Sequence, residues 1–201
     1  MYYNRRGDNL AYYRKFPYVI KNMKYNPDLH KRRSLRLKSY DYSSEGCYFV
    51  TICCADRLPL FGMVDDQKMY LNEYGQIAND EWFNSLNKRN GIELNEFIVM
   101  PNHIHGIITL TEDFHQAHQI RHRGVCDTPL QSPTHTLGAI IRGYKGAVTS
   151  RLKEYLGENI WQRNYYEHII RNEKSYLKIA EYISNNPITW KNDRFFIKNR
   201  G

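Results

Sequence analysis

The chain has 201 residues, 41% hydrophobic and 25% charged, with a net charge of +8. Those values exclude wholesale disorder and leave room for one catalytic domain with extensions, but not for two large domains. The basic excess points to an acidic partner, most commonly nucleic acid, although charge alone does not separate DNA, RNA and membrane surface; no stretch approaches the ~18 apolar residues of a membrane span, so a cytoplasmic protein that spans no membrane is expected.

Residues 1–38 hold eleven Lys and Arg against two Asp, so this arm carries the whole positive excess. Its cations, Arg32, Arg33 and Arg36 among them, alternate with tyrosines such as Tyr12, Tyr13 and Tyr18. Cations neutralise phosphates and tyrosines stack on bases, although a solvated tail that keeps the chain soluble has the same composition. The expected organisation is a basic extension over 1–38, a catalytic domain over 39–190 and a tail over 191–201.

In chain order, the β-rich run from Gly46 to Cys54 predicts a first, central strand, closed by a loop around Arg57, Pro59 and Gly62. Its adjacent Cys53 and Cys54 read as buried thiols, and without C-x-x-C spacing no disulfide framework is expected. Tyr74, Ile77, Trp82 and Leu86 give Asn72 to Leu86 helical spacing, and Asn87 to Gly91 ends that helix. Ile92 to Met100 is a second strand, Pro101-Asn102 a tight corner and His103 to Leu110 a third strand.

Residues 111–135, with His115, His118, His122 and two prolines, read as a long loop. Thr136 to Leu156 is a second helix with the stripe Leu137, Ile140/Ile141, Tyr144, Val148 and Leu152. Arg142 and Lys145 read as exposed charges on it. Ile160 to Ile170 is expected as a fourth strand, and Asn172 caps a last helix running to about Asn185, before Pro187. This order suits an α+β fold, loosely ferredoxin-like, with a mainly antiparallel sheet and helices packed on one face.

Residues two apart on a strand share a face, so His103 and His105 project side by side with Ile107 and Thr109. Two imidazoles so placed suit a divalent metal, but an isolated H-x-H is more often an ordinary hydrogen-bonded pair. A histidine-triad transferase would need a third His where Ile107 stands, and a two-histidine phosphoesterase a second such motif. A zinc deaminase or zinc finger would need H-x-E or paired cysteines, and neither is here.

The run Phe97-Ile-Val-Met-Pro-Asn-His-Ile-His-Gly-Ile-Ile108 closely resembles the signature strand of IS200-like transposases, which belong to the HUH single-strand nucleases. Downstream, Trp161-Gln162, Tyr166-Glu-His-Ile-Ile-Arg-Asn172 and Tyr182-Ile-Ser-Asn-Asn-Pro187 resemble the C-terminal half of the REP-associated tyrosine transposase branch. The blocks together span roughly residues 40–190.

The resemblance implies an endonuclease and strand transferase acting in DNA transposition. A tyrosine attacks a phosphate of hairpin-bearing single-stranded DNA, leaving a 5′-phosphotyrosine link and a free 3′-OH. It implies Tyr182 as nucleophile and a Mg²⁺ or Mn²⁺ ion held by His103, His105 and Asn186, where many members carry Gln. In helical register Lys178, Tyr182 and Asn186 recur every four residues, off the stripe of Tyr176, Ile179, Ala180 and Ile183. Lys178 is a candidate for lowering the phenol's pKa, His168 for bracing the metal site, and Arg171 for holding a phosphate.

The sequence leaves open monomer or homodimer, and action of Tyr182 in cis or in trans. Two other readings stand beside the enzyme: a domesticated relative that binds hairpin DNA without cutting it, and an RNA-binding module using Tyr48 and Phe49 on the sheet.

Overall fold

The computed structural model describes residues 41, 44–86, 89–114, 116, 136–157 and 159–196, all within the unit Ser34–Gly201. The basic arm with Arg32, Arg33 and Arg36 lies outside the described residues, as do His115, His118 and His122.

The elements are β1 (Gly46–Cys53), β2 (Gly62–Asp65), β3 (Lys68–Leu71), α1 (Glu73–Leu86), β4 (Ile92–Val99), β5 (His103–Leu110), α2 (Leu137–Leu156), β6 (Tyr166–Ile170), α3 (Glu173–Ser184) and α4 (Asn186–Thr189). One 3₁₀ turn follows β1 (Ala55–Arg57) and another follows α4 (Trp190–Asn192). The main sheet has the order β4-β5-β1-β6 with every neighbour antiparallel. Leaving aside the β2–β3 hairpin, this is the strand-helix-strand-strand-helix-strand arrangement of the ferredoxin-like class.

Alternation along β1 divides the core. Tyr48, Val50 and Ile52, with Ile104 and Ile108 of β5, face Trp82 of α1 and Leu137, Ile140, Tyr144 and Val148 of α2. Phe49 and Ile107 point the other way and meet Ile183, Tyr176 and Ile179 of α3. Each large side chain so buried contributes roughly 1.5–3 kcal/mol. The expected helices on one face are therefore α1 and α2, while α3 covers the opposite face, the one that carries His103 and His105.

Two further differences have local causes. The segment read as a loop near Gly62 contains the β2–β3 hairpin, whose turn residues Asp66 and Gln67 take φ of 44° and 59°. Paired positive φ is the hairpin-turn geometry, built here without the Asn-Gly or Asp-Gly that usually signals it. The fourth strand is shorter than expected because Arg163 and Asn164 bend the chain, leaving Trp161 a lone bridge to Cys54 before β6 begins at Tyr166. Lys145 is not a free surface charge: its Nζ donates to the Gln162 carbonyl at 2.5 Å, and burial lowers its pKa to about 8.

Among the described residues Cys47, Cys53 and Cys54 are free thiols, and no helix is long and apolar enough to cross a membrane.

Gly106, between the two inward histidines and Ile107, has its own packing reason. A Cβ there would come within 2.5 Å of the Trp82 ring, which stacks on Phe97 at 4.4 Å. Gly106→Ala is expected to cost about 1–3 kcal/mol, and thermal unfolding should show it as a loss of ~2–4 °C per kcal/mol. Gly146→Ala in α2, where an added Cβ meets nothing within 4 Å, should hold or raise the midpoint.

Candidate active site

His103 and His105 enter the site from the first turns of β5, directly across from Cys53 and Thr51 of β1. Both are fully buried, with ring centroids 4.4 Å apart. Strand alternation sets the pair, and the Pro101-Asn102 corner sets its surroundings.

Asn102 donates from Nδ2 to two main-chain carbonyls, Arg57 at 3.0 Å and Phe195 at 2.8 Å. Its amide orientation is thereby fixed, and Oδ1 is left facing His103 Nδ1 at 2.9 Å. An amide oxygen only accepts, so Nδ1 of His103 carries the proton and Nε2 presents a lone pair. That Nε2 is buried and has no hydrogen-bond partner. His105 is held at Nδ1 by the Thr51 hydroxyl at 2.8 Å, which adapts to either tautomer, and its Nε2 faces the Tyr182 hydroxyl at 3.2 Å.

Tyr182 is delivered by α3, whose first turn is capped by the Asn172 side chain accepting from Ser175 N. One turn on, the Tyr176 hydroxyl donates to Glu96 of β4 at 2.6 Å and pins the helix across the sheet. Six residues further, about 9 Å along the helix, the Tyr182 ring packs on the edge of Phe49 and beside His105. At 38% exposure it opens to solvent while its hydroxyl turns inward.

Asn186 does not continue the α3 face as the four-residue spacing predicts. The helix closes at Asn185, and Asn186 begins α4, with Pro187 in the first turn. The break turns Asn186 inward until it is fully buried. Its Nδ2 donates to Asp193 Oδ2 at 3.2 Å, and its Oδ1 is buried without a partner. The amide reaches toward His103 without closing a well-formed hydrogen bond to it.

Asp193 is the site residue that the sequence reading missed. Residues 191–201 are expected as a tail, yet their described part, 191–196, folds into the site. Asp193 Oδ2 accepts from both Tyr182 at 3.3 Å and Asn186, Oδ1 accepts from Phe195 N at 2.7 Å, and Phe195 stacks near His103 with centroids 4.4 Å apart. The run Asp193-Arg-Phe-Phe196, with two aromatics in a supposed tail, was the available signal.

Three acceptor atoms are thus available in this buried site: His103 Nε2, Asn186 Oδ1 and, in the tautomer protonated at Nδ1, His105 Nε2. Among the described residues no three His, Cys, Asp or Glu side chains form a metal-binding group, so a cation would rest on two imidazoles and an amide oxygen. Burial keeps both imidazoles neutral, the form that binds metals. It pulls His103 down to about 4, with Asp193 opposing and Arg194 assisting. Burial likewise pulls His105 well below its ordinary value, helped by His103 and Arg194. The Tyr182 phenol is pushed up, first by burial and then by the Asp193 carboxylate.

The other expected residues stay apart. Lys178 is exposed and is not among the groups that act on the phenol. His168 is exposed on β6 opposite Phe49, outside the hydrogen-bond network; Asn102 and Thr51 do the bracing expected of it. Arg171 is exposed just beyond β6.

No family model matches the chain. It is 44% identical to an uncharacterised Haemophilus influenzae protein over 184 residues, 87% of this chain and 98% of that one. It is 27% identical over 150 residues, 74% of this chain and 73% of the other, to a Haemophilus influenzae protein provisionally assigned as a REP-associated tyrosine transposase. Its fold matches a solved REP-associated tyrosine transposase bound to a REP hairpin, with a TM-score of 0.52 at 24% identity, over 79% of this chain and 74% of that one.

An unfolded histidine takes its proton near 6.5, whereas folded His103 takes it at about 4. Between those values the unfolded chain binds more protons, so this contribution is fully present above pH 6.5 and is lost as pH falls toward 4. For His103 the loss amounts to roughly 3 kcal/mol. Chemical denaturation of metal-free protein at pH 7.5 and 4.5 should show this fall, and His103→Gln should flatten it.

Proposed function

Since this chain belongs to one family with its 44%-identical Haemophilus relative and shares sequence and fold with REP-associated tyrosine transposases of the IS200-like kind, we propose that it is a metal-dependent tyrosine nuclease that cuts and rejoins hairpin-bearing single-stranded DNA. The observation that carries this reading is the meeting of Tyr182 with His105 at 3.2 Å beside the unpartnered acceptors of His103 and Asn186.

In the proposed reaction the Tyr182 oxygen attacks the scissile phosphorus. The Oη–P bond forms, the P–O3′ bond breaks, and the departing oxygen takes a proton to become a 3′-OH. The downstream strand stays joined through a 5′-phosphotyrosine, which conserves the bond energy so that a 3′-OH can reverse the step on the same or another strand. No nucleotide cofactor is required.

The Tyr182 proton has two acceptors in reach, His105 Nε2 and Asp193 Oδ2. When the lone pair of His105 is committed to a cation, the Asp193 carboxylate remains, and it is the general base of this proposal. His103, His105 and Asn186 would hold Mg²⁺ or Mn²⁺, and two neutral nitrogens with one amide oxygen suit such an ion once water and phosphate oxygens complete the shell. Bound there, the ion supplies charge stabilisation to a phosphate oxygen. Asn102 keeps His103 oriented, and Phe195 and Trp190 screen its ring from water.

Within one chain the Tyr182 hydroxyl meets His105 Nε2 at 3.2 Å, so the reading needs no second copy to assemble the nucleophile beside the histidines. Hairpin DNA as substrate rests on kinship with a protein solved with a REP hairpin.

Hairpin oligonucleotides from repeats flanking the gene, incubated with Mg²⁺ or Mn²⁺, should yield a metal-dependent covalent adduct on denaturing gels. Tyr182→Phe should remove it, by about 10³-fold or more, and Asp193→Asn should slow its formation about 10²-fold. Tight hairpin binding by the wild-type chain with no adduct under any metal would establish the non-cleaving binder instead.

A further inference from the structure

Two arginines stand at the mouth of this site without an assigned task. Arg57 ends the 3₁₀ turn after β1, where both it and Asp56 hold left-handed backbone, with φ of 56° and 51°. Non-glycine residues in that region gather at functional sites. Arg194 follows Asp193 directly. Arg57 Nη1 donates to the Arg194 carbonyl at 3.0 Å, and both guanidiniums lie over the Phe195 ring, at 5.4 Å and 4.7 Å from its centroid. Among the described residues neither is ion-paired with a carboxylate. With both charges over one ring, this corner of the site is electropositive and suited to an anion.

The charge of Arg194 is felt at His103, His105 and Tyr182, and that of Arg57 at His103, so an anion held between them would adjoin the reacting groups.

Tyr166 completes the set. On the sheet, Thr51 pairs with His105 on one side and with Tyr166 on the other, so all three side chains leave the same face in one row. The Tyr166 ring is 40% exposed, meets Phe49 edge-on with centroids 6.3 Å apart, and receives Arg194 at 5.8 Å. Phe49 also carries Tyr182 on its edge, so the two tyrosines flank one aromatic support. An exposed ring beside a guanidinium is the pairing that takes a nucleobase and its phosphate.

We propose that Arg57, Arg194 and Tyr166 form a subsite for the single strand next to the cut, with the guanidiniums gripping a backbone phosphate and the Tyr166 ring stacking an unpaired base. This rests on reading the site as one that takes single-stranded DNA. It adds the residues: Tyr166 on the edge strand β6 and the two arginines at the turns beside it would contact the DNA strand next to Tyr182.

The test is binding, which needs no cleavage: full-length chain carrying Tyr182→Phe, titrated across salt against a hairpin with a single-stranded flank and against the same hairpin without one. Arg57→Gln with Arg194→Gln should flatten the salt slope for the flanked hairpin by about 0.7, the single-strand value for one phosphate, and leave the bare hairpin unchanged. Tyr166→Leu should weaken flanked binding about tenfold, Tyr166→Phe should not, and an abasic sugar at the stacked position should abolish the difference. A methylphosphonate at the gripped phosphate, tested on the parent protein, should reproduce the loss of slope without any change to the subsite. Equal slopes in parent and double variant, at matched thermal midpoints, or a Tyr166→Phe as weak as Tyr166→Leu, would overturn the proposal. Flank-dependent losses without any adduct from the wild-type chain would keep this subsite and sink the cleavage reading; an adduct with unchanged slopes would do the reverse.

Discussion

The site depends on a single constraint, the fixed orientation of the Asn102 side chain. Two backbone carbonyls, one from the turn after β1 and one from the last described segment, take both protons of its amide. Only an acceptor is then left for His103, and the imidazole is committed to presenting a bare Nε2 to the interior. Leaving such an atom unpartnered costs about 1–3 kcal/mol, and Asn186 Oδ1 carries a second cost of the same kind. Two buried, orphaned acceptors are what the proposed cation would engage, with their desolvation cost already met in the fold.

The same network explains why the chain beyond α3 belongs to the site. Asp193 collects the Tyr182 hydroxyl, the Asn186 amide and the Phe195 amide N–H, so the nucleophile candidate, the ligand candidate and the aromatic cover are registered by one carboxylate. Phe195 in turn returns its carbonyl to Asn102. Substitutions in this segment should therefore disturb chemistry more than their distance in sequence from the histidines suggests.

Much of this was legible in the sequence where period and chemistry agree. The period of two along His103-Ile-His105 placed both rings on one face, and the 3.6 period of α2 marked the side chains that became core. The burial of Asn186 was not legible, because four-residue spacing sets it beside exposed Lys178 and Tyr182, whereas the helix closes at Asn185 and a new one begins at Asn186. Nor was the β2–β3 hairpin, whose turn uses Asp66 and Gln67 in backbone that those residues rarely adopt. The role of Asp193 arises from tertiary folding of a short polar and aromatic segment with no periodicity to read. Helix α3 shows the limit most clearly. Its amphipathic stripe predicted burial, but which sheet face received it followed from strand order, and strand order is a long-range property.

The most direct test of the account is electron paramagnetic resonance of Mn²⁺ added to the DNA-free protein near pH 7.5, with modulation from coordinated nitrogen recorded on the bound ion. The account predicts one bound Mn²⁺ coupled to two imidazole nitrogens, reduced to one in His103→Ala and bound more weakly in Asn186→Ala. Mn²⁺ that remains free, or that binds without nitrogen coupling and indifferently to both substitutions, would contradict it.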